Sequence, residues 1–149
     1  MEDKANVKFR LVSIEGETIK QDFSDNALKN IEEQSLKFQY KIRTVIKMSE
    51  DTIIVIPSIR YSYNEKVIFE SSAEFVYSIR TLAAAIDVDK ENKKINVKSN
   101  IFPSLLGAAY STLRGMSFVR SQDTPLSKFP APMVEVDTLL NRNGISVID

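Results

Sequence analysis

Strict alternation of apolar and polar positions dominates the middle of the chain. From Phe38 to Met48, the residues Phe38, Tyr40, Ile42, Thr44, Ile46 and Met48 share one face, against Gln39, Lys41, Arg43 and Lys47. From Thr52 to Tyr63, Ile53, Val55, Pro57, Ile59, Tyr61 and Tyr63 oppose Ser58, Arg60 and Ser62. From Val67 to Ile79, Val67, Phe69, Ala73, Phe75, Tyr77 and Ile79 oppose Glu70, Ser72, Glu74 and Ser78. The polar triplets Ser49–Glu50–Asp51 and Asn64–Glu65–Lys66 separate the three runs. Side chains of a strand point alternately to its two faces, so this pattern predicts an antiparallel meander with one apolar face. Pro57 has no N–H to give a ladder and predicts an edge position or a bulge.

Before the meander, Val7 to Ile14 reads as a strand followed by a turn at Glu15, Gly16 and Glu17. Ser24 to Ser35 carries a helix-start signal at Ser24 or Asp25, then Ala27, Leu28 and Ile31, which predicts a short helix or an irregular connector. After it, Arg80 to Ile86 fits either a strand extension or a helical turn, and Asp87 to Asn100 reads as a polar hairpin with Ile95 to Lys98 extended. Phe102 to Met116 predicts the one long helix: Phe102, Leu105, Leu106, Ala109, Leu113 and Met116 form a stripe, Pro103 suits its first turn and Gly115 its end. Ser117 to Phe129 reads as a loop or small hairpin, and Phe129-Pro130-Ala131-Pro132 as extended chain, because a residue before proline avoids the helical region. Met133 to Asn143 predicts a short second helix, capped by Asp137 and ended at Gly144. The sum is one α+β domain over residues 1–149: a four-stranded antiparallel sheet with one long and one short helix on one face.

Composition narrows the chemistry. The chain has no cysteine and no histidine, which removes thiolates, sulfur-built zinc sites and the commonest general base. Twenty basic residues balance twenty acidic ones, so the basic excess of a nucleic-acid binder is missing. The first residues, Met1 to Asn6, do not read as a signal peptide, and apolar runs such as Ile53–Ile56 are far too short to span a bilayer. These features predict a cytoplasmic protein that is not an enzyme, needs no cofactor or metal, and touches neither nucleic acid nor membrane.

Two patterns bear on binding. Asp87-Val88-Asp89 opens like a calcium loop, yet the sixth position is Asn92 and the twelfth Lys98, where glycine and glutamate are required; a solvated turn is the better reading. The long helix carries small residues away from its main stripe (Gly107, Ala108, Ser111, Thr112), a face that suits close approach of another subunit or of the chain's own sheet. One helix of this length does not cover four strands, and the tail adds Phe129, Met133, Val134, Leu139 and Leu140. The surplus apolar surface goes either into self-association and a binding groove or into completing the core.

Three stretches resemble the SecB family of export chaperones. Asn100-Ile101-Phe102-Pro103, leading to Leu113-Arg114-Gly115, is similar to that family's helix start and end; the segment from Phe129 to Leu140 is similar to the approach to its last helix; and Val7 to Phe23 is similar to its first strand and crossover. The resemblance implies a homotetrameric dimer of dimers with Gly107, Ala108 and Ser111 at a subunit contact. It also implies unfolded or presecretory polypeptides held in apolar grooves built from Phe9, Leu11, Phe23, Leu36, Phe38, Tyr40, Met133, Val134, Leu139 and Leu140. Family members that serve the export motor are acidic on the exposed sheet face and in a polar tail. Here Lys41, Arg43, Lys47 and Arg60 stud that face beside Glu70 and Glu74, and Ile148-Asp149 closes the sequence, which counts against docking to an export ATPase. A chaperone dedicated to one client, such as the antitoxin of a toxin–antitoxin–chaperone system, fits the resemblance as well. The alternative is a non-catalytic subunit with one fixed protein partner.

Overall fold

The structure is a computed structural model that describes residues 8–89, 91, 94–97 and 101–148. Met1–Asn6, Val7, Asn92, Lys98, Asn100 and Asp149, named above, lie outside the described residues. The chain is α+β. Strand β1 spans Phe9–Gln21, β2 Leu36–Lys47, β3 Thr52–Tyr63 and β4 Lys66–Ile79. One helical turn, α1 (Leu82–Ala85), leads into a small hairpin of β5 (Ile86–Asp89) and β6 (Lys94–Val97). The long helix α2 runs Ile101–Arg120, α3 is Val136–Arg142, and β7 is Gly144–Ile148. The main sheet has the order β1-β4-β3-β2-β7.

The sheet therefore has five strands rather than the expected four, and it is mixed. β7 runs parallel to β2, with Arg43 to Lys47 opposite Gly144 to Ile148. Gly144 does not merely end a helix: Asn143 caps α3 in extended conformation, and Gly144 opens the strand. Ile145 and Val147 alternate with Ser146, but five residues after a helix give too short a run for its period to stand out.

Three other boundaries differ from expectation for identifiable reasons. Gly16 sits in the left-handed region (φ 57°), and the β1–β4 register shifts between Glu15 and Thr18, so the expected turn is a bulge inside one long strand. Gly115 does not stop α2. A Cβ there would meet nothing within 4 Å, while Ser117 beyond it is buried and its carbonyl accepts from the Ser121 N–H, so tertiary packing carries the helix past its weak point. Pro57 lies in β3, the middle strand. Its place is made by the β3–β4 ladder, which pairs Val55 with Phe75 and Ser58 with Ser72 without a described pair between them.

The expected faces hold except at Val67, which turns out to 40 % exposure while Ile68 turns in, beside the register shift between Tyr61 and Ser62. Odd-numbered residues of β3, from Ile53 to Tyr63, are buried, as are those of β4 from Phe69 to Ile79. Onto that face α2 presses Phe102, Leu105, Leu106, Ala109, Tyr110 and Leu113, all buried. The chain from β1 to β2 crosses from one side of the sheet to the other and seals it with Leu28 (2 % exposed). Burying a large aliphatic side chain gains about 1.5–3 kcal/mol, so this interface contributes strongly to cohesion.

Candidate functional site

β2 has a free edge along half its length. β7 pairs only with Arg43 to Lys47, and no described strand pairs with the outer side of Leu36 to Ile42. The chain between α2 and α3 passes beside this edge as an extended strap, and the geometry of that strap is fixed by helix and sheet side chains. The Tyr61 hydroxyl donates to the Phe129 carbonyl (2.8 Å), Arg114 Nε to the Ala131 carbonyl (2.6 Å), and the Tyr110 hydroxyl to the Pro132 carbonyl (2.9 Å). Prolines 130 and 132 keep the segment extended, which presents its carbonyls in sequence to these donors. Burial pushes the Tyr61 and Tyr110 hydroxyls up to about 12, so both stay protonated as donors.

Between strap, α3 and the free edge opens a cleft of about 590 Å³. Phe38, Tyr40, Pro132 and Val134 give it apolar lining; Gln39, Lys41, Ser58, Arg60, Glu70 and Arg142 give it polar lining. The aromatic side is a connected cluster. Phe38 stacks on Tyr40 with centroids 6.5 Å apart and tilts against Tyr61 at 5.2 Å, and Tyr40 meets Tyr110 edge-on at 5.7 Å. The Arg142 guanidinium lies over the Tyr40 ring, 5.1 Å from its centroid. Tyr40 Oη is buried without a hydrogen-bond partner among the described residues. Arg60 and Glu70 neutralise each other at 2.9 Å, whereas Lys41 and Arg142 form no ion pair with a described residue, so the cleft is net cationic.

The residues expected to build one groove divide into separate places. Phe38, Tyr40 and Val134 line the cleft. Leu36, Phe23 and Leu140 are half-buried against the core, Leu139 is inside it (1 % exposed), and Met133 is 82 % exposed away from the lining. Phe9 and Leu11 lie on β1, at the opposite edge of the sheet, where they stand 40 % and 46 % exposed. Three strand spacings, about 14 Å, separate β1 from β2, so these two do not share a groove with Tyr40. Gly107 faces α3, with Val136 Cγ2 placed 3.6 Å from where its Cβ would be, while Ala108 and Ser111 remain exposed.

Pro132 and Arg142 were not foreseen as lining. Arg142 follows Leu139 by three residues, the spacing that places two side chains on neighbouring sides of a helix, and this was the available signal. No group of three or more metal-ligating carboxylates occurs among the described residues. No helix of the described residues is long and apolar enough to cross a membrane. No family model matches the chain, and no curated protein is significantly similar to it.

Proposed function

We propose that this protein is a SecB-like holdase, which keeps stretches of unfolded polypeptide extended in the cleft along the free edge of β2. One observation carries the reading: an unpaired strand edge borders an open cleft whose lining includes Phe38 and Tyr40. An unpaired edge offers N–H and C=O groups to any extended backbone regardless of its sequence. An aromatic wall gains about 25 cal/mol per Å² from any apolar side chain laid on it. Together they bind by general polypeptide features rather than by a motif, which is what holding diverse clients demands. The Lys41 and Arg142 charges favour segments with acidic residues among apolar ones. Ala108 and Ser111, exposed on α2, support association of copies through that helix face.

The test is suppression of aggregation of several unrelated unfolded proteins, measured by light scattering. Wild type and the Glu91→Lys control, at an exposed position in the turn between β5 and β6 and away from the cleft, are expected to suppress it equally. Phe38→Ser with Val134→Asp is expected to lose suppression while keeping the wild-type circular dichroism spectrum. Suppression confined to one client would turn the reading toward a dedicated partner, and full activity in the folded double variant would remove the cleft from it.

A further inference from the structure

The sheet face turned away from the helices carries an apolar band with opposite charges on its two sides. The registers set Val45 opposite Ile54 and Ile54 opposite Val76, forming one row across β2, β3 and β4. In the neighbouring row Arg43 is opposite Ile56. The pairs Val55–Phe75 and Ser58–Ser72 place Ile56 across from Glu74. Val45, Ile54, Ile56 and Val76 all stay partly exposed, and none belongs to the core cluster. Arg43 and Glu74 stand two strands apart, about 9–10 Å, and neither forms an ion pair with a described residue.

We propose that this face is a dimer interface, on which a second copy packs sheet to sheet about a two-fold axis running along β3. The charges select that axis. A two-fold along the middle strand keeps each row in place and exchanges its sides, because β2 of one copy then lies over β4 of the other. Arg43 meets the partner's Glu74 twice, Val45 meets the partner's Val76, and Ile54 and Ile56 meet their own symmetry mates. In the same arrangement Lys41 faces the partner's Ser72 and Lys47 the partner's Ser78, while Arg60, on the axis strand, meets its own symmetry mate with its charge already neutralised by Glu70 at 2.9 Å. A two-fold running across the strands through the Val45 row fails, because it sets Arg43 over the partner's Lys47. Stacked sheets lie about 10 Å apart with interdigitated inner faces, a distance that Arg43 and Glu74 side chains span together. Isologous self-complementarity of this kind is the ordinary basis of homodimers. The interface does not use the exposed α2 residues; it covers the polar wall of the cleft at Lys41, Ser58, Arg60 and Glu70 and leaves Phe38 and Tyr40 on the opposite face of β2.

The experiment measures mass by light scattering across a dilution series for four proteins: wild type, Arg43→Glu, Glu74→Arg and the double variant carrying both. All substitutions are at partly or fully exposed positions, and circular dichroism checks that each folds. Each single variant is expected to weaken association about tenfold or more, since it sets like charges against each other twice. The double variant restores opposite charges and is expected to return to near wild-type association. A wild type that stays monomeric overturns the proposal. So do single variants that associate like wild type, or a double variant as weak as the singles.

Discussion

The Thr44 hydroxyl donates to Asn143 Oδ1 at 2.8 Å, joining a fully buried position of β2 to the residue where α3 ends and β7 begins. This bond fixes the corner that lets β7 enter the sheet parallel to β2. Replacing Thr44 by valine keeps the shape and strands the Asn143 amide beside an apolar wall. The expected cost is about 1–2 kcal/mol in urea unfolding, with faster amide exchange in β7 than in β3. Thr44→Ser, which retains the donor, is expected to lose less.

The packing of Gly107 gives a prediction of opposite sign. A methyl group there would lie 3.6 Å from Val136 Cγ2, ordinary contact rather than a clash. Gly107→Ala therefore removes the entropic cost of a mid-helix glycine and is expected to stabilise the fold by about 0.5–1 kcal/mol. Gly107→Leu adds volume that α3 must yield to, and is expected to destabilise by about 1–3 kcal/mol. Equal stability of the two variants would mean that α3 does not pack closely on this turn of α2.

These two sites also show where the sequence was readable. The meander was legible because period two persists through twelve- and fourteen-residue strands, from Thr52 to Ile79, and turns punctuate it. The helix stripe from Phe102 to Leu113 was legible for the same reason at period 3.6. What escaped was whatever depends on contacts distant in sequence. Gly16 reads as a turn until its ladder with β4 is seen, and β7 needs β2, about a hundred residues earlier, to be a strand at all. The segments that carry the family resemblance are apolar, a property that does not distinguish Leu139 in the core from Phe38 at the cleft, or β1 at one edge from β2 near the other.

Alkaline stability follows from the buried phenols. Desolvation pushes the Tyr61 and Tyr110 hydroxyls from 10 up to about 12, and it raises that of Tyr77 as well. Between those limits the unfolded chain has released protons that the folded chain still holds. The contribution is complete below pH 10 and is lost as pH rises toward 12. Stability is expected to fall across this window, with tyrosinate absorbance appearing together with unfolding. Tyr61→Phe with Tyr110→Phe is expected to make the fall shallower; an unchanged slope would place the alkaline transition elsewhere.

Arg114 offers the sharpest test of what holds the strap. Its Nε–H to the Ala131 carbonyl is a charge-assisted bond of 2.6 Å, set between the Tyr61 and Tyr110 bonds to the same segment. Arg114→Ala leaves a half-covered carbonyl without its donor and is expected to cost about 1.5–3 kcal/mol. The loss should be local first, because α2 keeps its buried stripe from Phe102 to Leu113 without Arg114. Limited proteolysis is therefore expected to cut within residues 127–134 before the sheet unfolds. Since Pro132 and Val134 form one wall of the cleft, the same variant should bind extended clients with altered affinity while Tyr40 and Phe38 stay in place. Arg114→Lys presents a point charge without the fixed N–H direction, so it is expected to recover only part of the protection. Uniform cleavage over the whole chain in Arg114→Ala would show that this bond supports the entire fold rather than the strap.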